Sequence, residues 1–356
     1  MPVQFFNLDI ETTNRCNAHC YFCPRDQTPH QGLMAVDTFD QSLARAVEFA
    51  AIAREHYQTH MKVNLCGLGE PLLNRNTPDF VRKVRAAGFE CSLSTNGSLL
   101  DERHSTALLE AGLQGAEINV GEVDDDYEQI YGLPFEKTCE NVVRFSEMAG
   151  DQCQVRIVLV NHRRDADHMA RMREFWTSRG IRHFMPFEVM NRGGALFVDE
   201  MQYATFPERA EAVSLLEARN VQPICSVPFT LLFIGYDGQY YLCCSDWKKE
   251  VGLGSVYDTS FAAIASAKLG HVTTGEPICK NCNHDPINQL TDVLRTATDA
   301  GTRDEAAIGR LIDNLVDNDT TGRAVAAQLE SLEPQFFVKP ARRLIPVTAE
   351  VNATDH

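Results

Sequence analysis

The residues best able to carry chemistry are twelve cysteines in a chain of 356 residues, gathered in two groups with four more scattered between them. The first group reads Cys16-Asn-Ala-His-Cys20-Tyr-Phe-Cys23. Three thiolates on one loop can wrap a compact metal centre, but they cannot complete four-coordinate zinc alone. Zinc would have to borrow a ligand, with His19 and His30 nearby; a cubane [4Fe–4S] cluster on three cysteines keeps one iron open to a further ligand. The second group is Cys225, Cys243, Cys244 and Cys279-Lys-Asn-Cys282. Four of these thiols can close an all-thiolate zinc site or a fully ligated [4Fe–4S] cluster, and spacing does not choose. Neighbouring strand residues point to opposite faces, so only one of Cys243 and Cys244 should ligate easily. Cys66, Cys91, Cys139 and Cys153 have no partner spacing and read as small core residues.

Polar groups recur at the ends of expected strands. Gly67-Leu68-Gly69-Glu70-Pro71 follows the second strand, and Ser94-Thr95-Asn96-Gly97 follows the third. Asn119 ends the fourth, as a ligand or a turn residue. Arg156 lies inside a β run, and Asn191-Arg192-Gly193 follows a later strand. Arg192 is either the partner of a carboxylate or a surface arginine.

The spacing C-x3-C-x2-C after a first strand, with Phe22 before the last cysteine, resembles the radical S-adenosylmethionine (SAM) superfamily. The Gly67–Pro71 segment is similar to that family's GGE motif, with Leu68 between the glycines. The Ser94–Gly97 segment corresponds to polar groups near the methionyl and ribose parts of SAM. The resemblance covers about residues 5–190. It implies that Cys16, Cys20 and Cys23 hold a [4Fe–4S] cluster, that SAM chelates the open iron, and that SAM is cleaved to a 5′-deoxyadenosyl radical that abstracts hydrogen. It places Phe22, Gly67, Gly69, Glu70, Ser94, Asn96, Asn119, Arg156 and Arg192 around the cofactor, with Gly69 admitting the SAM amino group. The pattern of Cys225, a Gly238-x4-Cys243 hairpin and Cys279-x2-Cys282 resembles the SPASM or "twitch" extension. It implies one auxiliary [4Fe–4S] cluster on Cys225, Cys243, Cys279 and Cys282, hence two clusters in all.

These groups need a scaffold. Strand signals at Phe5–Ile10, Lys62–Cys66, Phe89–Ser94, Gly115–Val120, Val155–Val160 and Ile181–Phe187 alternate with helix signals at Asp40–His56, Pro78–Ala87, Asp101–Ala111, Cys139–Ala149 and Ala166–Arg179. That alternation predicts an α/β fold with a parallel sheet. About six βα units predict a partial (β/α)6 barrel, with active-site groups at the strand ends. Thr230–Ile234 and Gln239–Leu242 flank Gly235-Tyr-Asp-Gly238 as a β-hairpin. The expected organisation is a barrel over 1–200, an auxiliary cluster domain with a small hairpin and helices over 201–289, a helical extension over 290–340 and a disordered tail over 341–356. Ile308, Leu311, Ile312 and Leu315 form the stripe of one helix in that extension.

Composition excludes several classes. Apolar residues make up 44% and charged residues 23%, so the chain is globular. A net charge of −16 repels a phosphate backbone, and no basic run offsets it, so no nucleic-acid partner is expected. No membrane span and no export signal are visible, which predicts a cytoplasmic protein. Its partners are then a small-molecule substrate and a flavodoxin- or ferredoxin-type electron donor. The twitch pattern is similar to that of aminocyclitol dehydrogenases and antibiotic epimerases, and also to peptide- and protein-modifying maturases. The first strand starts by about Phe5, which leaves no room for a peptide-binding module before the barrel and favours a small molecule such as a sugar or aminocyclitol. Oxidation is the expected outcome, with epimerisation the alternative and Cys244 its hydrogen donor. A plain iron–sulfur electron carrier does not account for the SAM-side motifs.

Overall fold

The computed structural model describes residues 3–56, 58–197, 201–220 and 223–317. The expectations for residues 318–356, including the disordered tail, lie outside that range.

Six parallel strands come first in the chain: β1 Val3–Ile10, β2 Gln58–Leu65, β3 Glu90–Thr95, β4 Gly115–Asn119, β5 Gln154–Asn161 and β6 His183–Glu188. Each pairs in parallel with the next. The crossovers carry α1 Val36–His56, α2 Thr77–Ala86, α3 Glu102–Glu110, α4 Asp124–Tyr131, α5 Phe135–Ala149 and α6 Ala166–Thr177. Local chemistry sets their ends. Asp101 accepts from the His104 amide at 2.8 Å to cap α3, and Asp165 accepts from Asp167 and His168 at 2.9 and 3.1 Å to cap α6. The acidic run 124–126 has no apolar periodicity, so no helix is expected there from pattern alone. It forms α4 because three carboxylates suit a helix N-terminus and Gly132, at φ +68°, closes the other end.

β1–β4 alternate, while β5 is apolar on both faces from Ile157 to Val160. Leu8, Ile10, Val63, Leu65, Cys91, Leu93, Ala116, Ile118, Ile157 and Leu159 face the helices and are buried. Phe39 stacks on Phe80 with ring centroids 4.0 Å apart in that layer. Each large apolar side chain contributes about 1.5–3 kcal/mol on burial. On the concave side β1, β2 and β3 align the polar residues Asp9, Asn64 and Ser92 in register, whereas β5 presents Val158 and Val160 there. Asn64 donates to Asp9 at 2.7 Å and Ser92 donates to Asn64. A buried parallel sheet would be apolar on both faces; this one carries polar groups on the concave face of β1–β4 instead.

The sheet does not close. Its order is β6-β5-β4-β3-β2-β1-β7-β8-β9, with β7 Leu231–Ile234, β8 Gln239–Tyr241 and β9 Gly252–Ser255. The expected hairpin exists, but its first strand joins β1 in parallel, pairing Asn7 with Leu231 and Ile10 with Ile234. Barrel and hairpin therefore share one nine-stranded sheet across the expected boundary at 200. No residue pattern signals this pairing, because a four-residue strand carries no record of its neighbour. Between the strands and beyond them lie α7 Glu208–Glu217, α8 Val227–Thr230, α9 Phe261–Thr274, α10 Pro277–Lys280 and α11 Pro286–Asp299. A further helix covers 305–317. Ala212, Leu216, Leu290, Leu294, Ile308, Ile312 and Leu315 make a second small core. No helix among the described residues is long and apolar enough to cross a membrane.

Candidate functional site

A cavity of about 270 Å³ opens at the carboxyl ends of β1–β6. Cys16, Cys20 and Cys23 line one side of it, together with Phe22, Gly67, Gly69, Glu70, Ser94, Asn96, Asn119 and Arg192. Nearly every residue expected around the cofactor is thus brought to one chamber. Arg156 is not. It is the third residue of β5, toward the strand's beginning rather than its end, and reaches Glu117 Oε1 only at 3.8 Å.

Local contacts hold the loop that carries the three thiols. The Cys23 amide donates to Cys20 O at 3.0 Å, and the Ala18 amide approaches Cys16 Sγ at 3.4 Å. Asn96 Nδ2 lies 3.8 Å from the same sulfur and donates to Asn17 at 2.9 Å. Burial pushes the Cys16 and Cys20 thiols up, so loading a metal must displace protons. The borrowed-ligand zinc alternative fails on geometry. His19 is exposed and turned to Asp26 at 3.4 Å, and neither His19 nor His30 lines the cavity.

Glu70 serves the protein's own turns. Oε1 accepts from Thr95 Oγ1 at 2.8 Å and the Leu72 amide at 3.1 Å, while Oε2 accepts from the Asn96 amide at 2.8 Å. It ties the turn after β2 to the turn after β3. Burial raises its carboxyl and these three donors oppose that. Gly69 is also needed by the chain itself: a Cβ there would lie 2.3 Å from Thr13 O and 2.5 Å from Arg15 O. The reason expected from sequence, room for a ligand's amino group, is therefore joined by close backbone packing.

The far wall is mixed. Val158, Val160, Met185, Phe187 and Met190 give an apolar surface, and Glu117, Asn119 and Arg192 give polar points. Asn119 Nδ2 donates to Ser94 Oγ at 3.2 Å. Glu117 carries only long ion contacts, to Lys62 at 3.9 Å and Arg156 at 3.8 Å. It was missed from sequence although it stands two residues before Asn119, on the same strand face.

Arg192 takes a left-handed φ of +49° within a turn locked onto the CxxC segment. Asn191 and Asn283 exchange amide and side-chain bonds, each 3.1 Å. A Cβ on Gly193 would lie 2.2 Å from Ile278. Arg192 Nη1 donates to Cys244 O at 3.4 Å. This arginine therefore connects the cavity wall with the second cysteine group.

That group converges as expected. Cys225, Cys243, Cys279 and Cys282 line a single pocket with Pro228, Ser245 and Ile278. Burial raises each thiol, Cys279 to about 12, and the neighbouring cysteines add to it. Cys244 does not line this pocket. Its thiol is raised by burial, and the Arg192 charge draws it back. Among the described residues, neither group brings three sulfurs within 4.8 Å of one another. Cys91 and Cys153 are buried core residues, while Cys66 and Cys139 are half-buried.

One polar cluster was not foreseen. Tyr21 Oη and His162 Nδ1 are 2.7 Å apart, and Phe22 stacks on the same imidazole at 5.6 Å. His162 Nε2 in turn meets buried Glu122, which also accepts from Arg163 Nε at 2.9 Å, while His168 Nε2 lies 2.8 Å from the same carboxylate without a hydrogen bond to it. Glu122, His162 and His168 have a metal-like arrangement. The bidentate Arg163 already neutralises that carboxylate, so the cluster reads as a brace for the aromatic pair of the cysteine loop.

A family model described as the Radical SAM superfamily matches residues 10–174, and one described as an iron–sulfur cluster-binding SPASM domain matches residues 225–283. A probable GTP 3′,8-cyclase of Methanothermobacter thermautotrophicus is 36% identical over 121 residues, 33% of this chain and 35% of that protein. A tungsten-containing aldehyde ferredoxin oxidoreductase cofactor-modifying protein of Pyrococcus furiosus is 32% identical over 30% of this chain and 28% of that protein. The chain thus spans about a third of the length of these curated relatives. Among solved structures, Streptococcus suis SuiB bound to the precursor peptide SuiA superposes with a TM-score of 0.56 at 11% identity, covering 82% of this chain and 73% of that one. Native anSMEcpe with bound AdoMet gives 0.54 at 15% identity, covering 79% and 86%. These two are likenesses of fold.

Proposed function

Since the chain belongs to the radical SAM superfamily and carries a SPASM iron–sulfur domain, we propose that it oxidises a small polar molecule, such as a sugar or aminocyclitol, held between two [4Fe–4S] clusters. In this reading Cys16, Cys20 and Cys23 ligate the first cluster, and Cys225, Cys243, Cys279 and Cys282 ligate the auxiliary one. When bound, SAM and the clusters would supply a 5′-deoxyadenosyl radical to take one hydrogen atom from the substrate and an acceptor for the second electron.

The chain's own groups do the rest. Phe22, Gly67, Gly69, Glu70, Ser94, Asn96 and Asn119 shape the SAM side of the cavity. Met185, Phe187 and Val158 exclude water from the radical's path. Glu117, with no close ion partner, stands where it can take the proton that a two-electron oxidation releases. Arg192 orients an oxygen-bearing group of the substrate beside the auxiliary site. The observation that carries the reading is this placement: one wall residue, Arg192, touches both the cavity and Cys244. The curated relatives named GTP 3′,8-cyclase support a small-molecule substrate. A peptide substrate is the second reading, favoured by the fold's likeness to SuiB bound to a precursor peptide.

The test is anaerobic turnover in D₂O with candidate sugars and aminocyclitols, scored by deoxyadenosine release and product mass. A product lighter by two mass units supports oxidation. A product of unchanged composition with one carbon-bound deuterium, lost in Cys244→Ala, replaces oxidation by epimerisation. Turnover confined to peptides moves the assignment to a maturase.

A further inference from the structure

Glu11 follows β1 and is fully buried. One carboxylate oxygen accepts from the Leu68 amide at 3.2 Å, and the other lies 2.8 Å from Lys249 Nζ. Gly67 packs directly on this side chain: a Cβ there would come within 2.5 Å of Glu11 Cγ. Gly67 and Leu68 belong to the turn that lines the N-terminal cysteine cavity. Lys249 comes from far along the chain, six residues after Cys243.

Lys249 has little freedom to do anything else. Its backbone takes a left-handed φ of +60°, and its amide donates to Asp246 O at 3.1 Å. The Asp246 amide donates to Cys243 O at 3.1 Å, and the Asp246 carboxylate accepts from the Glu250 and Val251 amides at 3.0 and 2.9 Å. The ammonium passes over the Tyr241 and Phe233 rings, 4.5 and 5.1 Å from their centroids. A lysine needs none of this to stay in solvent. Successive constraints instead lead from the Cys243 carbonyl through one tight turn to a buried carboxylate, and from there to the amide of Leu68.

We propose that Lys249 is a positioning residue for the SAM side of the active site. Filling of the auxiliary cysteine pocket fixes the turn after Cys243, the turn aims Lys249, and the Lys249–Glu11 pair sets the Gly67–Leu68 turn. The two cysteine sites are thereby coupled in affinity for SAM. This rests on the functional reading above.

The test uses the full chain with both sites reconstituted and SAM as the probe in equilibrium dialysis. Lys249→Met is expected to weaken SAM about tenfold, at the lower end of typical couplings between sites, with iron at the N-terminal cysteines unchanged. Cys279→Ala/Cys282→Ala is expected to weaken SAM to a similar degree when Lys249 is present, and by less than about twofold in Lys249→Met. Equal factors in the two backgrounds overturn the proposal. Lys249→Met leaves a buried charge alone, so Glu11→Gln/Lys249→Met removes both charges; it is expected to keep the parent's circular dichroism and still lack coupling. Coupling retained in that double variant also overturns the proposal. An independent readout needs neither clusters nor SAM. Hydrogen exchange at the Leu68 amide is expected to quicken about tenfold in Lys249→Met. Unchanged exchange overturns the strut, whereas a parent chain that binds no SAM overturns the functional reading instead.

Discussion

Cys243 and Cys244 are adjacent in the chain and serve different surroundings. Cys243 lines the pocket with Cys225, Cys279 and Cys282, whereas the Cys244 carbonyl accepts from Arg192, which lines the other cavity. Both follow the end of β8, where the chain enters a turn. The parent is expected to bind about eight irons per chain, Cys243→Ser about four, and Cys244→Ser about eight. Iron analysis with electron paramagnetic resonance of the reduced protein checks this. A loss of cluster in Cys244→Ser alone would exchange the two roles.

Glu70→Ala removes the acceptor shared by Thr95, Asn96 and Leu72 inside the protein. Stranded buried donors cost about 1–3 kcal/mol each, so denaturant unfolding should show a loss of about 3 kcal/mol or more. SAM affinity should fall as the two turns separate, with iron content unchanged. Unaltered SAM affinity would leave Glu70 with a purely structural task.

His162 and Tyr21 can be tested as a pair. Tyr21→Phe should cost about 1 kcal/mol and His162→Phe about 1–3 kcal/mol, because the second also deprives buried Glu122 of a donor. The double variant should cost less than the sum, since both changes break the same bond. Strict additivity in chemical denaturation would mean that the bond carries no weight.

Lys268 provides a pH signature. It is buried, and its ammonium donates to Pro228 O at 2.6 Å and Leu231 O at 2.9 Å. Burial lowers its pKa to about 8, against which Cys243 pulls upward. Between about pH 8 and pH 10.5 the unfolded chain holds this proton more tightly than the native one, so stability from this group rises with pH. Across that window the gain should approach about 3 kcal/mol, and below about pH 8 the contribution is flat. Relative to Lys268→Met, the parent should therefore gain stability as pH rises from about 8 to about 10. An identical slope in both proteins would contradict the depressed pKa.

The amino-acid sequence by itself determined the two cysteine groups, the order of β1–β6 and most of the helices between them, and the polar groups at strand ends. These are local matters. The Cys16–Cys23 and Cys279–Cys282 spacings, period-two alternation and helix caps such as Asp101 and Asp165 act within about ten residues, so they can be read from a single chain. Tertiary structure alone decided the rest. Nothing near Leu231 indicates that β7 will join β1, because that pairing is made by backbone groups common to all residues. Arg156 and Arg192 looked alike in sequence, yet one sits at the start of its strand and the other at the cavity wall. Glu11 and Lys249 stand 238 positions apart, and Tyr21 and His162 stand 141 apart. No spacing rule reaches that far; such pairs exist only once the sheet brings its strand ends together around one chamber.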